Sequence, residues 1–403
     1  PLREHWWGPR DALAPSASAM AGEWLKDLVA ASLVAWLISM PIIIHHFGVV
    51  TLLAAPASVI AIPIVTLLLA VGYLKMLLGV LMPSAGLVLG AALTACTEFL
   101  ISIVQMFDAI PFTHLPVPGV SAWWTVAAIF VMIGWLTARS KRRALIMLSC
   151  TIALSAWALG PRVGAELRLD MLAVGDGSCI LVRTGGETIL FDAGSSTNLN
   201  AGRQSIVPAL RRLGVDRIDG LIISHANLDH YAAAIEVADA FRVSRVLVTP
   251  ALLREAEETP NEPLGFLVDA INRRAITIQP VAAGHVESIG ETKWTWLHPP
   301  AAARFGIVND SSSVIAIDAF GRRALLTGDV QTEGMAMLLG DPVDALRADV
   351  IEFPHHGSFH EAAIAFMQAV RPAVAMQSTG WTRWLGDRWQ PILDESNVKR
   401  LVT

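Results

Sequence analysis

The stretch Ser224-His225-Ala226-Asn227-Leu228-Asp229-His230 decides how this sequence is read. An apolar run, residues 220–224, leads straight into it and reads as a buried strand. The chain then offers His225, Asp229 and His230, the imidazole and carboxylate groups that hold zinc or manganese. A loop leaving the end of a strand can aim all three at one point. A lone Asp-His pair carries little weight, because capping and core histidines are common. More ligand-type residues at other strand ends decide in favour of a metal.

Working outward, such residues are there. Residues 167–174, 179–184 and 188–191 are predicted strands, and the last ends at Asp192-Ala193-Gly194. Residues 314–317 and 323–326 form a strand pair whose second member ends at Thr327-Gly328-Asp329. Residues 349–353 form a strand ending at Pro354-His355-His356-Gly357-Ser358. Helices are predicted at 206–213, from about 231, near 264–274 and up to 370, with further strands at 245–248 and 373–376. Asp192, His225, Asp329 and His355 therefore stand at four strand ends. An αβ/βα sandwich gathers a site along one edge of its sheets in this way.

The rest of the sequence has a different composition. The 403 residues are 54% hydrophobic and 16% charged, with a net charge of −5. This excludes a disordered or nucleic-acid-coating chain, which would be polar and highly charged. Residues 28–138 contain three charges, Lys75, Glu98 and Asp108, whereas residues 161–403 hold 51 of the 65. Apolar runs at 28–44, 49–74, 76–106, 122–138 and 144–159 predict four or five membrane spans. The region 49–106 reads as two spans or as one span with re-entrant pieces. Glu98 and Asp108 read as helix-end and loop residues, and His45 and His46 as interfacial. Arg139, Lys141, Arg142 and Arg143 form a basic loop that the positive-inside rule places in the cytoplasm. One further span then delivers the region from Pro161 to the outer side. The organisation expected is a flank at 1–23, a membrane module at 24–160 and a folded domain at 161–403. Three cysteines, Cys96, Cys150 and Cys179, give no disulfide framework. The sequence opens on Pro1 and reads as part of a longer protein.

The soluble region resembles the metallo-β-lactamase fold in the version carried by ComEC-type competence proteins. The resemblance rests on Val174-Gly175-Asp176-Gly177-Ser178, Phe191-Asp192-Ala193-Gly194, Ser224 to His230, Asn309-Asp310-Ser311-Ser312, Leu325 to Asp329 and Pro354 to Ser358. Upstream, Met40-Pro41, Phe47-Gly48 and Ile62-Pro63 look like the end of the competence membrane domain. The resemblance implies a bacterial inner-membrane channel that passes a single strand of DNA in natural transformation, working with other competence proteins in the bilayer. It also implies an outward-facing, metal-dependent phosphodiesterase or nuclease domain for the other strand. By carry-over, His225 and Asn227 belong to a first metal site. Asp229, His230 and one of His355 and His356 belong to a second, with Asp329 bridging. Asp229 and Asp329 are then the catalytic carboxylates. Asp192, Asn309 and Ser358 are expected to support the ligands.

The sequence also departs from the family pattern. Asn227 stands where the family has Asp or His, Ser178 and Ala173 replace aspartates, and Gln390 replaces a histidine before Pro391. A neutral amide is a weaker ligand, so one or two zinc or manganese ions are expected, the first more weakly held. Trp381, Trp384 and Trp389 alternate with Arg383 and Arg388. That mix can stack single-stranded bases or cover a domain edge. Two other functions fit the residues: a membrane-anchored metallohydrolase for lactones, esters or nucleotides, and a metal-free docking domain on a transporter.

Overall fold

The structure is a computed structural model. It describes residues 17–403 except 111, 112, 118, 138, 139, 141, 143, 144, 147, 148, 154–166, 199, 341, 343 and 344. The chain forms two units, residues 1–161 with 211–214 and residues 162–210 with 215–403.

The first unit is helical. Its main helices are α1 (Ala17–Phe47), α2 (Ala54–Leu81), α3 (Pro83–Asp108) and α4 (Ala122–Thr137). Three of them are long and apolar enough to cross a membrane: Met20–Phe47 in α1, Ala54–Gly79 in α2 and Gly86–Asp108 in α3. Region 49–106 is therefore two helices. The break falls at Met82, which is extended (φ −140°, ψ 86°) because the ring of Pro83 excludes the helical conformation from the residue before it. Gly79 and Gly86 sit on either side of the break, and a Cβ on Gly86 would lie 3.1 Å from Gly79 Cα. Larger side chains would push α2 and α3 apart there. Among the described residues the predicted fourth span forms the 16 residues of α4, and residues 138 and 139 after it lie outside them. Most of the fifth run, and Arg139, Lys141 and Arg143 of the basic loop, lie outside the described residues. Met40 and Ile44 of α1 pack with Val120, Trp124 and Ala128. A short antiparallel pair that the sequence did not announce, Val49–Thr51 with His114–Pro116, ties the start of α2 to the end of α3.

The second unit is a sandwich of two sheets. The first sheet runs, in spatial order, Thr277–Pro280, Arg245–Val248, Gly220–Ile223, Glu187–Phe191, Ile180–Thr184 and Leu167–Met171. The second runs Val286–Ile289, Thr292–His298, Val314–Ala319, Arg322–Leu326, Val350–Glu352, Val374–Gln377 and Lys399–Val402. Between them lies a closed apolar core: Ile180, Val182 and Phe191 from one sheet meet Trp294, Trp296 and Ile317 from the other. The far face of the second sheet packs Leu325 and Ile351 against Leu338, Phe366 and Val370 of its covering helices. This is the αβ/βα sandwich expected. The strands at 277–280, 286–289 and 292–298 are additions to that expectation.

This topology positions the site. Strands 187–191 and 220–223 are parallel neighbours in one sheet, and 322–326 and 350–352 are parallel neighbours in the other. All four release their chains at the same edge of the sandwich.

Candidate metal centre

After Ile223 the chain bends at His225-Ala226, is extended at Asn227 (φ −103°, ψ 140°) and then turns into the short helix Leu228–Tyr231. The His230 amide donates to Asn227 O at 2.9 Å and closes the turn. Asp192 anchors it. Its carboxylate accepts from the Ser224 amide (2.7 Å) and hydroxyl (2.8 Å), and Oδ2 lies 2.7 Å from His230 Nδ1. Asp192 is fully buried and left-handed (φ 60°). Gly194 lets the loop sit this close, because a Cβ there would lie 2.5 Å from the Asp229 carbonyl carbon.

The opposing loop is held in an unfavourable conformation. His355 (φ 45°) and His356 (φ 55°) are both left-handed, each costing about 1 kcal/mol or more. Side chains clamp the loop from outside. Gln377 Nε2 donates to His356 O, Trp389 Nε1 to Gly357 O and Arg383 Nη1 to His355 O, each at 2.8 Å.

The two loops and the end of strand 322–326 bring four side chains together. Asp229, His230, Asp329 and His356 each offer a ligand atom, and these atoms lie within 4.8 Å of one another. His230 Nε2 is 3.2 Å from Asp329 Oδ1, and His356 Nε2 is 3.4 Å from Asp329 Oδ2 and 3.5 Å from Asp229 Oδ2. His225 joins from the side, its ring centroid 4.3 Å from that of His230.

These residues fit a divalent cation. The Nε2 atoms of His225, His230 and His356 are buried and have no hydrogen-bond partner. Each Nδ1 is occupied, by Ser224 Oγ (3.0 Å), Asp192 (2.7 Å) and Ser378 O (3.2 Å) respectively. Such partners fix the tautomer that turns the Nε2 lone pair toward a metal. The Ser224 proton goes to Asp192, so the proton on His225 is at Nδ1.

The family model described as Metallo-beta-lactamase superfamily matches residues 172–358, and the one described as Competence protein matches residues 7–143. In both matches the chain resembles the ComEC-type competence proteins. It is 25% identical over 380 residues to ComE operon protein 3 of Bacillus subtilis (strain 168), covering 88% of this chain and 47% of that protein. It is 27% identical over 223 residues to Competence protein ComA of Neisseria gonorrhoeae, covering 54% of this chain and 27% of that one. Recombination protein 2 of Haemophilus influenzae is 29% identical over 226 residues, covering 54% of this chain and 25% of that one. The chain thus spans less than half the length of each of these relatives.

The remaining sequence candidates fall outside the cluster of four. Asn227 turns to another amide: its Nδ2 donates to Asn309 Oδ1 at 2.7 Å. His355 sits on the rim. Gln331 Nε2 lies 2.7 Å from its Nδ1, so the imidazole proton is at Nε2, 3.7 Å from Asp329 Oδ2. Ser358 Oγ accepts from Arg383 at 3.0 Å and shapes the loop. Two residues are additions to the sequence reading. Gln331 sets the orientation of His355, and Glu352 supports Asp329. Glu352 is buried and accepts from Thr327 N (2.9 Å), Gly328 N (3.0 Å) and Ser178 Oγ (2.9 Å). A charged residue in an otherwise apolar strand was the available signal for it.

The electrostatics suit a cation. Burial pushes the Asp329 carboxyl up, but the charges of His230 and His356 outweigh it and hold it well below the usual range. Burial likewise opposes charge on His230, and Asp329 and Asp192 override it, raising the imidazole well above its usual value. His225 has no such support: burial, helped by His230, pushes it down to about 3 and keeps it neutral. Burial raises the Asp192 and Glu352 carboxyls.

Proposed function

We propose that this chain is part of a bacterial inner-membrane DNA uptake channel. Its outward-facing domain would be a phosphodiesterase that works on the incoming DNA. The observation that carries this reading is the convergence of Asp229, His230, Asp329 and His356, in a chain that joins a competence-type helical region to a metallo-β-lactamase fold. The basic residues at 139–143 support the outward orientation, since they favour the cytoplasmic side.

We further propose one zinc or manganese ion, held by those four residues. A second ion would need Asn227, whose amide is engaged with Asn309. A bound divalent ion supplies charge to phosphate oxygens and makes a nearby water more acidic. The side chain of Asp229 is 21% exposed and opens toward solvent, so it accepts the proton of the attacking water. Asp329, nearly fully buried, keeps the negative charge that fixes His230 and His356. His355 Nε2–H, on the rim, would hydrogen-bond the oxygen that leaves when the phosphorus–oxygen bond breaks, and that oxygen takes its proton from solvent. Asp192 holds His230 in the tautomer this requires.

The test is metal analysis and cleavage of a labelled oligonucleotide by the purified chain. One equivalent of metal with cleavage, both lost in Asp329→Ala, is the expected result. Absence of metal and cleavage in the unmodified chain would sink the reading. One observation favours a second reading: residues 161–403 carry 29 acidic against 22 basic groups. A metallohydrolase for small uncharged esters or lactones fits that balance. Cleavage of such substrates without cleavage of DNA would select it.

A further inference from the structure

The segment after residue 380 faces the back of the histidine loop and encloses a cavity of about 240 Å³ between itself and Gly357-Ser358-Phe359. Two arginines line it. Arg383 bonds the loop through His355 O and Ser358 Oγ, and Arg388 lies with its guanidinium 4.2 Å above the Phe359 ring. Neither makes an ion pair with a carboxylate among the described residues. Asp387 also lines the cavity, but both its oxygens are taken by Arg400, at 2.7 and 2.9 Å. The cavity is therefore positive in a domain that is negative overall. Beside it the short helix Trp381–Leu385 leaves Trp381 73% exposed. Trp389, by contrast, is buried and serves the loop.

We propose that this cavity binds a phosphate of single-stranded nucleic acid, with Arg383 and Arg388 supplying charge and Trp381 stacking the adjacent base. Arginine suits the role because its planar fork pairs with phosphate oxygens while stacking on an aromatic ring. Alternation of arginine with exposed tryptophan is how sequence-tolerant strand binding is built. Arg383 joins the cavity wall to the residue preceding His356, so a strand held here runs beside the cluster. The inference rests on the phosphodiesterase reading and names its substrate subsite.

The test uses the full chain in nanodiscs, with EDTA present so that no cleavage occurs. Binding of a fluorescent oligothymidylate is measured against salt. Arg388→Ala and Trp381→Ala should each weaken it by about fivefold or more. Arg388→Ala should also reduce the log–log salt slope by about 0.7, the value for one phosphate contact on a single strand. Arg304→Ala, an exposed arginine elsewhere, should leave binding unchanged. Unaltered binding in both cavity variants overturns the proposal, whatever the metal does. If the chain binds the strand through these residues but neither holds metal nor cleaves, the subsite stands and the phosphodiesterase reading falls. Trp381 together with Leu385 also has the chemistry of a membrane-surface contact. In nanodiscs of brominated lipid, wild type and Trp381→Phe should lose the same emission. Quenching specific to Trp381 would assign this face to the bilayer and overturn the proposal.

Discussion

At the scale of single residues, the centre turns on which side chains present an unpaired donor atom. Asn227 has the register of a ligand, yet it spends its amide on Asn309. A carboxylate there cannot donate that bond and adds a negative charge beside His225, whose Nε2 already faces inward without a partner. Asn227→Asp should therefore raise bound metal from one to two equivalents per chain by elemental analysis. A value that stays at one would show that His225 does not serve a second site. The two adjacent histidines should separate in the same assay. His356→Ala should lose the metal, whereas His355→Ala should retain it and lose cleavage only. Equal loss in both variants would place His355 among the ligands. The sequence made His225, Asp229 and His230 visible, because a strand running into a polar loop shows in the order of residues. The choice between His355 and His356 was not visible. It depends on two left-handed residues and on clamps from Gln377, Arg383 and Trp389, all distant in sequence.

At the scale of elements, Glu352 links strand 350–352 to the end of strand 322–326. It caps the Thr327 and Gly328 amides where the chain turns to present Asp329. Glu352→Ala would leave both buried amides without an acceptor, a loss of about 3 kcal/mol. For a unit of this size that corresponds to a fall in melting temperature of about 6–12 °C. Glu352→Gln keeps an acceptor for the amides and a donor for Ser178. Its effect should depend on pH, since burial raises the carboxyl above its ordinary 4.5. The stability this group contributes is complete below 4.5 and falls as pH rises through the raised value. Thermal melts of Glu352→Gln against wild type should therefore favour the variant more at pH 8 than at pH 5. A difference that does not change with pH would mean the carboxyl is not raised. Another strand of that sheet shows what patterning hides. Strand 292–298 alternates Thr292, Trp294, Trp296 and His298 inward, but its two tryptophans and the Pro299-Pro300 that follow mask an ordinary core strand.

At the scale of the whole molecule, the apolar helices set a path that can be followed from one side of a bilayer to the other. α2 and α3 expose Leu67, Leu69, Met76, Leu87 and Val88, a surface that needs lipid or other apolar helices around it. They form a hairpin whose tip is Met82-Pro83-Ser84. Its open end is closed by the pairing of Val49–Thr51 with His114–Pro116. The pairing requires the segments before α2 and after α3 to share one side, so the tip must lie on the other. If the basic loop at 139–143 is cytoplasmic and α4 crosses the bilayer, the paired strands face outward and the tip faces inward. In a background with Cys96, Cys150 and Cys179 replaced by serine, an impermeant maleimide applied to intact spheroplasts should label His114→Cys and spare Ser84→Cys. Both positions are exposed in the structure, so protection reports the bilayer rather than burial in protein. Labelling of both from outside would remove α2 and α3 as spans. The reverse pattern would keep the hairpin and turn the C-terminal domain toward the cytoplasm, where it would meet DNA only after transport.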